Sequence, residues 1–228
     1  MNEKLEPLLA LLRDVVEHWS PAGFATSLGI EDMLLLDVID RYKLGIDVFT
    51  LDTGRLHQDT YDLLQRTRGR YHTPIAVFAP DAADIEAYVA ENGPNGFYDS
   101  VPLRQRCCHI RKVKPLRRAL DGKRAWITGL RREQAVTRQD LPLSEWDTDN
   151  NMKKFNPLAE WSTVEIWDYI RQHEVIHNDL HAKGYPSIGC EPCTRAIAPT
   201  EDLRAGRWWW ENAASRECGL HPRDMSHA

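Results

Sequence analysis

Five cysteines are the residues of this sequence with the clearest chemistry, and they fall into three groups. Cys107 and Cys108 form a tandem pair, Cys190 and Cys193 form a Cys-x-x-Cys pair, and Cys218 stands alone ten residues from the end. A soft-metal site needs about four thiolates, and a Cys-x-x-Cys loop supplies two of them without strain. Neighbouring side chains on a helix point about 100° apart, which is awkward for one tetrahedral zinc ion. The two pairs therefore favour an iron–sulfur cluster over zinc.

A redox disulfide is the competing interpretation of the Cys-x-x-Cys pair. Such a motif normally opens a helix after a first strand, whereas this one lies late in the chain beside Gly189 and Pro192. The tandem pair, taken alone, also fits two buried structural thiols.

A basic segment without acidic residues surrounds the tandem pair. Its cations are Arg104, Arg106, Arg111, Lys112, Lys114, Arg117 and Arg118. A solvated helix face accounts for most of them. Lys112 stands four residues from Cys108 and five from Cys107, so a helix would place it where its charge offsets that of four thiolates.

Cys218 lies apart from the other four, between Arg216 and His221. Cationic neighbours favour the thiolate, the reactive form of cysteine, so Cys218 is a candidate nucleophile. Segments near a chain end are usually mobile, and a nucleophile there can swing into a site and out again. An idle exposed thiol is the alternative.

Two loops are candidates for binding an anion. The turn from Thr26 to Asp32 follows a predicted strand and precedes a helix, where free backbone N–H groups and the helix dipole favour phosphate or sulfate. The next strand runs into Asp52 and Gly54, and the carboxyl ends of neighbouring parallel strands are where open α/β sheets bind ligands. An ordinary loop with an N-cap serine is the alternative for the first turn, and a helix cap is the alternative for Asp52.

A parallel sheet would bring these loops together, and the first half of the chain alternates strand and helix patterns in the βαβ manner. Predicted strands cover residues 23–27, 46–50 and 75–78. Predicted helices cover residues 31–42, 56–68 and 81–91, and the chain begins like an amphipathic helix.

The second half is less regular. Residues 102–120 favour a helix that an internal proline kinks or interrupts, residues 124–128 predict a strand, and residues 131–151 suit a loop over a site. A capping box at Ser162 predicts a helix to about His173.

The overall composition excludes several classes of protein. The 228 residues are 42% hydrophobic and 28% charged, which predicts one compact α/β domain with a tail rather than a disordered chain. No apolar run approaches the roughly 20 residues of a membrane span, and the N-terminus lacks a signal-peptide pattern, so we expect a cytoplasmic protein with no membrane partner. The net charge of -5 opposes a nucleic-acid partner.

Four segments in combination resemble one enzyme family. They are residues 107–116 (CCHIRKVKPL), 129–134 (GLRREQ), 189–195 (GCEPCTR) and 216–221 (RECGLH). Together they are similar to the assimilatory sulfonucleotide reductases, the phosphoadenylyl-sulfate reductase family, and specifically to its cluster-containing adenylyl-sulfate (APS) reductase branch. The resemblance covers about residues 22–222.

The resemblance implies a Rossmann-like parallel sheet with helices on both faces, similar to the adenine nucleotide alpha hydrolases. It implies a sulfonucleotide-binding domain with an iron–sulfur site over residues 1–210 and a mobile tail over residues 211–228 that carries the catalytic cysteine. The implied reaction belongs to sulfate assimilation and cysteine biosynthesis. Cys218 attacks the sulfur of APS and releases AMP, and a separate thioredoxin or glutaredoxin then frees sulfite from the resulting S-sulfocysteine.

The resemblance also implies the site residues. One four-iron, four-sulfur cluster would bind Cys107, Cys108, Cys190 and Cys193, with an electrostatic and structural role, and Lys112 would link cluster and substrate charge. The other residues implied to bind substrate are Thr26, Ser27, Gly29, Asp32, Leu51, Asp52, Thr53, Gly54, Gly129, Arg131, Arg138, Arg204, Arg207 and His221.

Elementary electrostatics supports converging cations, because APS is dianionic and a thiolate that attacks it brings two negative centres together. Arg204 and Arg207 are three residues apart, as on one helical face, although Gly206 weakens the prediction of a helix. A surface role for either arginine is the alternative. The three tryptophans at 208–210 are expected to pack the C-terminal segment onto the domain, with a thioredoxin-docking surface as the alternative.

Other functions remain as alternatives. Within the reductase family, the alternative substrate is 3'-phosphoadenylyl sulfate (PAPS), or the enzyme accepts both nucleotides, although the four cysteines favour APS. An ATP-pyrophosphatase-type enzyme is opposed by Leu28, because those enzymes usually show two consecutive glycines in this loop. A cluster-bearing redox sensor that binds nucleic acid is opposed by the net charge. A homo-oligomeric state stays open.

Overall fold

The structure is a computed structural model that describes residues 4–135 and 138–212. Of the expected tail, residues 211–228, only Glu211 and Asn212 are described; residues 213–228, with Cys218 and His221, lie outside the described residues. The helices and strands of the described residues determine where the two candidate loops and the four paired cysteines lie.

An amphipathic helix opens the described chain, as expected. Helix α1 (Leu5–Trp19) buries Leu5, Leu8, Leu12 and Val15, which recur at the spacing of one helical face. This stripe packs into the main hydrophobic core together with helix α2 (Ile30–Arg41).

Six strands of the described residues form one sheet in the order β3-β2-β1-β4-β6-β5. The strands are β1 (Ala22–Thr26), β2 (Ile46–Leu51), β3 (Ile75–Phe78), β4 (Ala125–Ile127), β5 (Ser144–Asp147) and β6 (Met152–Phe155). All neighbouring pairs are parallel except β5 with β6. The predicted parallel α/β sheet is confirmed, and β1 lies beside β2 and β4 at the centre.

Helices connect the strands and flank the sheet. Besides α1 and α2 they are α3 (Gln58–Arg70), α4 (Ala82–Asn92), α5 (Val101–Cys108), α6 (Lys114–Leu120) and α7 (Thr163–Gln172). The capping box predicted at Ser162 is present, with the Ser162 side chain accepting from the Glu165 N–H and the Glu165 side chain accepting from the Ser162 N–H. None of the helices within the described ranges combines the length and apolar character that a bilayer crossing requires.

The two faces of the sheet bury separate hydrophobic clusters, because successive strand residues point to opposite faces. Phe24, Val48 and Ile127 join the larger cluster with α1, α2 and α7. Phe49 and Trp126 join the smaller cluster with apolar residues of α6. Helices therefore cover both faces, as the family resemblance implied.

The tandem cysteines lie at the end of α5, whose N-cap Ser100 accepts a hydrogen bond from the Leu103 N–H. A π-helical turn, His109–Val113, follows directly and leads into α6. Pro115 stands in the first turn of α6, where its missing N–H is tolerated. The predicted interruption of this helix therefore takes the form of a π turn, a feature that often occurs at functional sites.

Two predictions from the sequence are wrong. The loop predicted over residues 131–151 contains β5, an edge strand of polar sequence, and β6 follows it with two adjacent lysines, so neither strand shows a clear apolar alternation. Arg204 and Arg207 do not share a helical face, because their segment forms turns. Backbone pairing with residues 194 and 195 holds that segment, since the Arg195 N–H donates to the Gly206 carbonyl at 3.0 Å.

Candidate active site

A cavity of about 530 Å³ lies at the carboxyl ends of β1, β2 and β4. Twelve of the residues predicted to bind substrate line it: Thr26, Ser27, Gly29, Asp32, Leu51, Thr53, Lys112, Gly129, Arg131, Arg138, Arg204 and Arg207. Cys190 lines it as well, so the cavity extends to the cysteines. Asp52 and Gly54 are not among the lining residues.

The turn between β1 and α2 is held in shape by its own side chains. Asp32 Oδ2 accepts hydrogen bonds from the Ser27 N–H and the Ser27 hydroxyl, both at 2.6 Å. Thr26 Oγ1 accepts from the Leu28 N–H at 3.1 Å, and Leu28 adopts a left-handed φ of 62° while fully buried. A buried leucine in that region is held there by its surroundings, so the shape of the turn is set without a ligand.

Burial raises the pKa of Asp32 to about 7, and the two hydrogen bonds from Ser27 oppose that rise. The carboxyl is closely packed: a β-carbon placed on Gly129 would lie 2.1 Å from Asp32 Oδ1. Only a residue without a side chain fits at position 129, because the Asp32 carboxyl occupies the space that a β-carbon would need.

Arg131 lines the cavity, but its guanidinium already has protein partners. It pairs with Glu31 at 2.8 Å and with Glu133 at 2.8 Å, and it donates to the Trp161 carbonyl at 3.1 Å. Its side chain is 3% exposed. These contacts assign Arg131 to the frame of the cavity wall, with Glu31 as a lining carboxylate that the sequence reasoning missed.

The loop after β2 connects the cavity to the cysteines. Asp52 Oδ1 accepts from the Gly54 N–H at 2.8 Å and from the Tyr61 hydroxyl at 2.7 Å, and these two hydrogen bonds shape the loop. Thr53, the next residue, contacts the cysteine region. Its hydroxyl accepts from the Cys190 thiol at 3.3 Å, and its carbonyl accepts from Arg111 Nη1 at 2.6 Å.

The thiols of Cys107, Cys190 and Cys193 lie near enough to influence one another. Burial raises the pKa of Cys107, and Cys190 adds to that rise while Arg111 opposes it. Burial also raises the pKa of Cys193 to about 12, with a further contribution from Cys190 and opposition from Lys112. Cys108 is buried and accepts a hydrogen bond from Arg104. The structure thus brings the tandem pair and the Cys-x-x-Cys pair to one region.

A single metal ion does not fit this arrangement. Within the described ranges, no group of three or more His, Cys, Asp and Glu side chains is placed to hold one ion. A cubane cluster binds each thiolate through a different iron and so takes four more widely spaced thiolates. Cys108 and Cys190 are buried and Cys107 and Cys193 are partly buried, and Arg104, Arg111 and Lys112 lie beside them. Four thiols with nearby cations match the type of donor and the compensating charge that such a cluster uses.

Arg207 reaches the cavity from the C-terminal side. Its Nη1 donates to the Ser187 hydroxyl and to the Ile188 carbonyl, both at 3.3 Å, and its guanidinium lies over the Trp208 ring at 4.7 Å. Its Nε is buried without a hydrogen-bond partner among the described residues. A buried, partly unpaired guanidinium at a cavity wall is suited to an anionic ligand.

The sequence reasoning also missed an aromatic part of the wall. His181 and Trp167 both line the cavity with their rings 5.8 Å apart and perpendicular. Burial lowers the pKa of His181, and its Nε2 is buried without a hydrogen-bond partner among the described residues. No spacing in the sequence links these residues to the two loops, so only the fold shows them to be neighbours.

The family model of the phosphoadenosine phosphosulfate reductase domain matches residues 22–196. A protein of Allochromatium vinosum named adenosine 5'-phosphosulfate reductase is 54% identical over 96% of this chain and 85% of its own length. One of the same name from Burkholderia cepacia is 52% identical over 96% of this chain and 87% of its own length.

Among solved structures, a phosphate complex of phosphoadenylyl-sulfate reductase from Candida auris superposes with a TM-score of 0.71 at 26% identity. That similarity covers 83% of this chain and 90% of the other. The NH3-dependent NAD synthetase of Campylobacter jejuni has a TM-score of 0.56 at 13% identity, over 80% of this chain and 76% of the other, which is a similarity of fold alone.

Proposed function

The chain belongs to the phosphoadenosine phosphosulfate reductase family, and on that premise we propose that it reduces APS to sulfite and AMP in sulfate assimilation. It is an oxidoreductase that acts on a sulfur group. One observation carries this proposal beyond family membership: a cavity at the carboxyl edge of the sheet is lined by two nucleotide-type loops, by Lys112 and Arg207, and by Cys190.

The first step of the proposed reaction is attack by the Cys218 thiolate on the sulfur of APS. A sulfur–sulfur bond forms, the bond between that sulfur and the bridging oxygen breaks, and AMP leaves with the electron pair. Sulfonated Cys218 then accepts attack by a dithiol protein, thioredoxin or glutaredoxin. Sulfite leaves with the electron pair of the broken sulfur–sulfur bond, and the dithiol closes to a disulfide that returns Cys218 as a thiol.

The residues of the cavity have defined tasks in the first step. The preformed turn at Ser27 and Gly29 would bind the phosphate end, and Arg204, Arg207 and Lys112 would offset the charge that builds up as two anions meet. Cys218 and His221 lie outside the described residues, so their approach to the cavity is part of the proposal.

We assign Cys107, Cys108, Cys190 and Cys193 as ligands of one four-iron, four-sulfur cluster. When bound, the cluster supplies a fixed charge distribution next to the substrate site and holds the thiolates in place. Lys112 lines the cavity and opposes the rise that burial gives to the pKa of the Cys193 thiol, so it would connect the charge of the ligands with that of the substrate.

APS is preferred over PAPS because the relatives at about 50% identity carry the APS name, and the Candida auris protein with the PAPS name is 26% identical. The reductant is a separate dithiol protein, and the reaction takes place in the cytoplasm.

Intact mass spectrometry tests the proposal directly. Protein purified without oxygen is mixed with APS and no reductant, in parallel with PAPS. A sulfonated cysteine adds about 80 Da, and thioredoxin should remove it again. Cys218→Ser should form no adduct while still binding AMP. The absence of an adduct with either nucleotide, in protein that retains its iron, would overturn the reductase assignment, and adducts formed equally fast with both would replace APS specificity with dual specificity.

A further inference from the structure

A buried ion pair connects the tandem-cysteine helix to the last described residues of the chain. Arg104 Nε and Nη2 each donate to one carboxylate oxygen of Glu211, both at 2.8 Å. The two side chains are 0% and 3% exposed. Such a two-pronged, fully buried pair fixes both position and orientation, which an exposed pair does not.

The guanidinium of Arg104 that pairs with Glu211 also contacts the cysteine site. It stands one helical turn before Cys108 on α5, and its guanidinium also donates a hydrogen bond to that thiol. One side chain therefore contacts a candidate cluster ligand and Glu211, which precedes Cys218 by seven residues.

Trp208 extends this arrangement to the cavity. The guanidinium groups of Arg104 and Arg207 lie over its ring, at 4.9 and 4.7 Å from the ring centre. The backbone N–H of Trp208 donates to the Cys193 carbonyl at 3.1 Å, and the backbone N–H of Glu211 donates to the Trp208 carbonyl at 2.9 Å. The Cys-x-x-Cys loop, Arg104, Arg207 and Glu211 thus all contact one buried residue, the two arginines through its ring and the other two through its backbone.

The backbone of Trp208 shows that its surroundings impose this placement. Its φ of 43° lies in the left-handed region, and its side chain is 1% exposed. Bulky residues adopt that region only where the surrounding structure determines it. The cations stacked on the ring and the ion pair at Glu211 are the contacts that do so.

We propose that Arg104 is a positioning residue for the sulfonation of Cys218: it fixes Trp208 and Glu211 and thereby holds Arg207 and the start of the catalytic segment in register with the cysteine site. The inference rests on the proposed function. Arg104 is not itself among the residues that line the cavity, so it acts through Trp208, which does line it, and through Glu211.

The test compares Arg104→Lys and Glu211→Gln with the parent protein. Lysine keeps the charge but cannot form the two-pronged pair, and glutamine keeps the shape but not the charge. Four properties are measured: iron content, AMP dissociation constant, rate of the mass adduct with APS, and amide hydrogen exchange at Trp208 and Glu211. We expect unchanged iron, faster exchange at both amides, weaker AMP binding and adduct formation slowed about tenfold or more.

Tyr169→Phe is the matched control for loss of stability. It removes a buried hydrogen bond of 2.8 Å to Asp37, between α7 and α2, and touches neither the cysteines nor the cavity wall. We expect a lower melting temperature with the parent's adduct rate and the parent's exchange at Trp208. If Tyr169→Phe slows the adduct as much as Arg104→Lys, general destabilisation explains both results and the proposal is wrong.

Two further outcomes would also overturn it. One is a parent-like adduct rate and exchange in both Arg104→Lys and Glu211→Gln. The other is loss of iron in Arg104→Lys while Glu211→Gln keeps every parent property, because Arg104 would then act on the thiol alone. If Arg104→Lys does not fold, Glu211→Gln decides by the same measurements. A parent protein without any adduct would refute the proposed function instead, and AMP binding and amide exchange would still test the positioning.

Discussion

The guanidinium of Arg207 occupies the space next to Gly189 that any side chain there would need. A β-carbon on Gly189 would lie 2.3 Å from Arg207 Nη2 and 2.6 Å from its Cζ. The same guanidinium donates to the Ser187 hydroxyl and the Ile188 carbonyl. The segment that leads into Cys190 therefore sets the position of a cation in the cavity.

Gly189→Ala should weaken anion binding through displacement of the Arg207 guanidinium. The three atoms nearest to the added methyl group would all belong to the guanidinium of the buried Arg207, so we expect the guanidinium to shift. We expect the AMP dissociation constant, measured by calorimetry, to rise about tenfold, which corresponds to loss of a hydrogen bond to a charged group. Gly45→Ala is the control, since a β-carbon there meets no atom within 4 Å. Parent-like binding in Gly189→Ala would show that Arg207 does not contact the ligand.

Lys112→Gln should slow adduct formation with APS by about 10- to 100-fold, because it removes a positive charge from the place where negative charge builds up. Lys112 lines the cavity, and its charge opposes the rise that burial gives to the pKa of the Cys193 thiol. Iron content should stay at the parent's value. Lys114→Gln serves as the control, since Lys114 lies on the same run of helix but pairs with Asp84 at 2.8 Å. Equal rates in the two variants would remove Lys112 from the site.

Asp32→Asn should flatten the pH dependence of the free energy of unfolding between about pH 4 and 7. Burial raises the pKa of Asp32 to about 7 in the folded protein, so the folded state holds a proton that the unfolded state has already lost. The parent's stability should therefore fall as pH rises through this window and level off above it, by up to about 4 kcal/mol from this group. Urea unfolding at several pH values measures the slope.

Ser27→Ala checks the cause of that slope. Both hydrogen bonds from Ser27 lower the pKa of Asp32, and the alanine keeps the one from the backbone but not the one from the hydroxyl. The fall in stability should then extend to higher pH than in the parent. If the slopes of the parent, Asp32→Asn and Ser27→Ala coincide, the Asp32 carboxyl is not the group that titrates.

Cys193→Ala should lose iron and activity together, because a cluster with one corner unligated is not retained. Iron analysis and the visible spectrum of protein purified without oxygen provide the measurement. Cys218→Ser is the control, and it should keep the iron and the spectrum while it loses the mass adduct. Activity in an iron-free Cys193→Ala protein would make the cluster dispensable.

Much of the fold followed from local patterns in the sequence. The apolar stripe of α1, the alternation of strands and helices from Ala22 to Asn92, and the capping box at Ser162 are encoded within a few residues and are confirmed. β5 and β6 were not predictable in this way, because a short edge strand and a strand with two lysines gain their stability from pairing and not from their own residues.

The sequence by itself determined the family, through four short segments whose residue types are tied to one chemistry, and it determined which cysteines come in pairs. Only the tertiary structure decided what those residues contact. Arg131 is bound by Glu31 and Glu133, and Asp52 shapes its own loop.

Arg104, which reads as one more cation of a basic helix, is buried against Glu211, 107 residues away. The physical reason is that a charged side chain of this kind takes its role from the partner that compensates its charge. Such partners come from distant segments, and only packing of the chain brings them together.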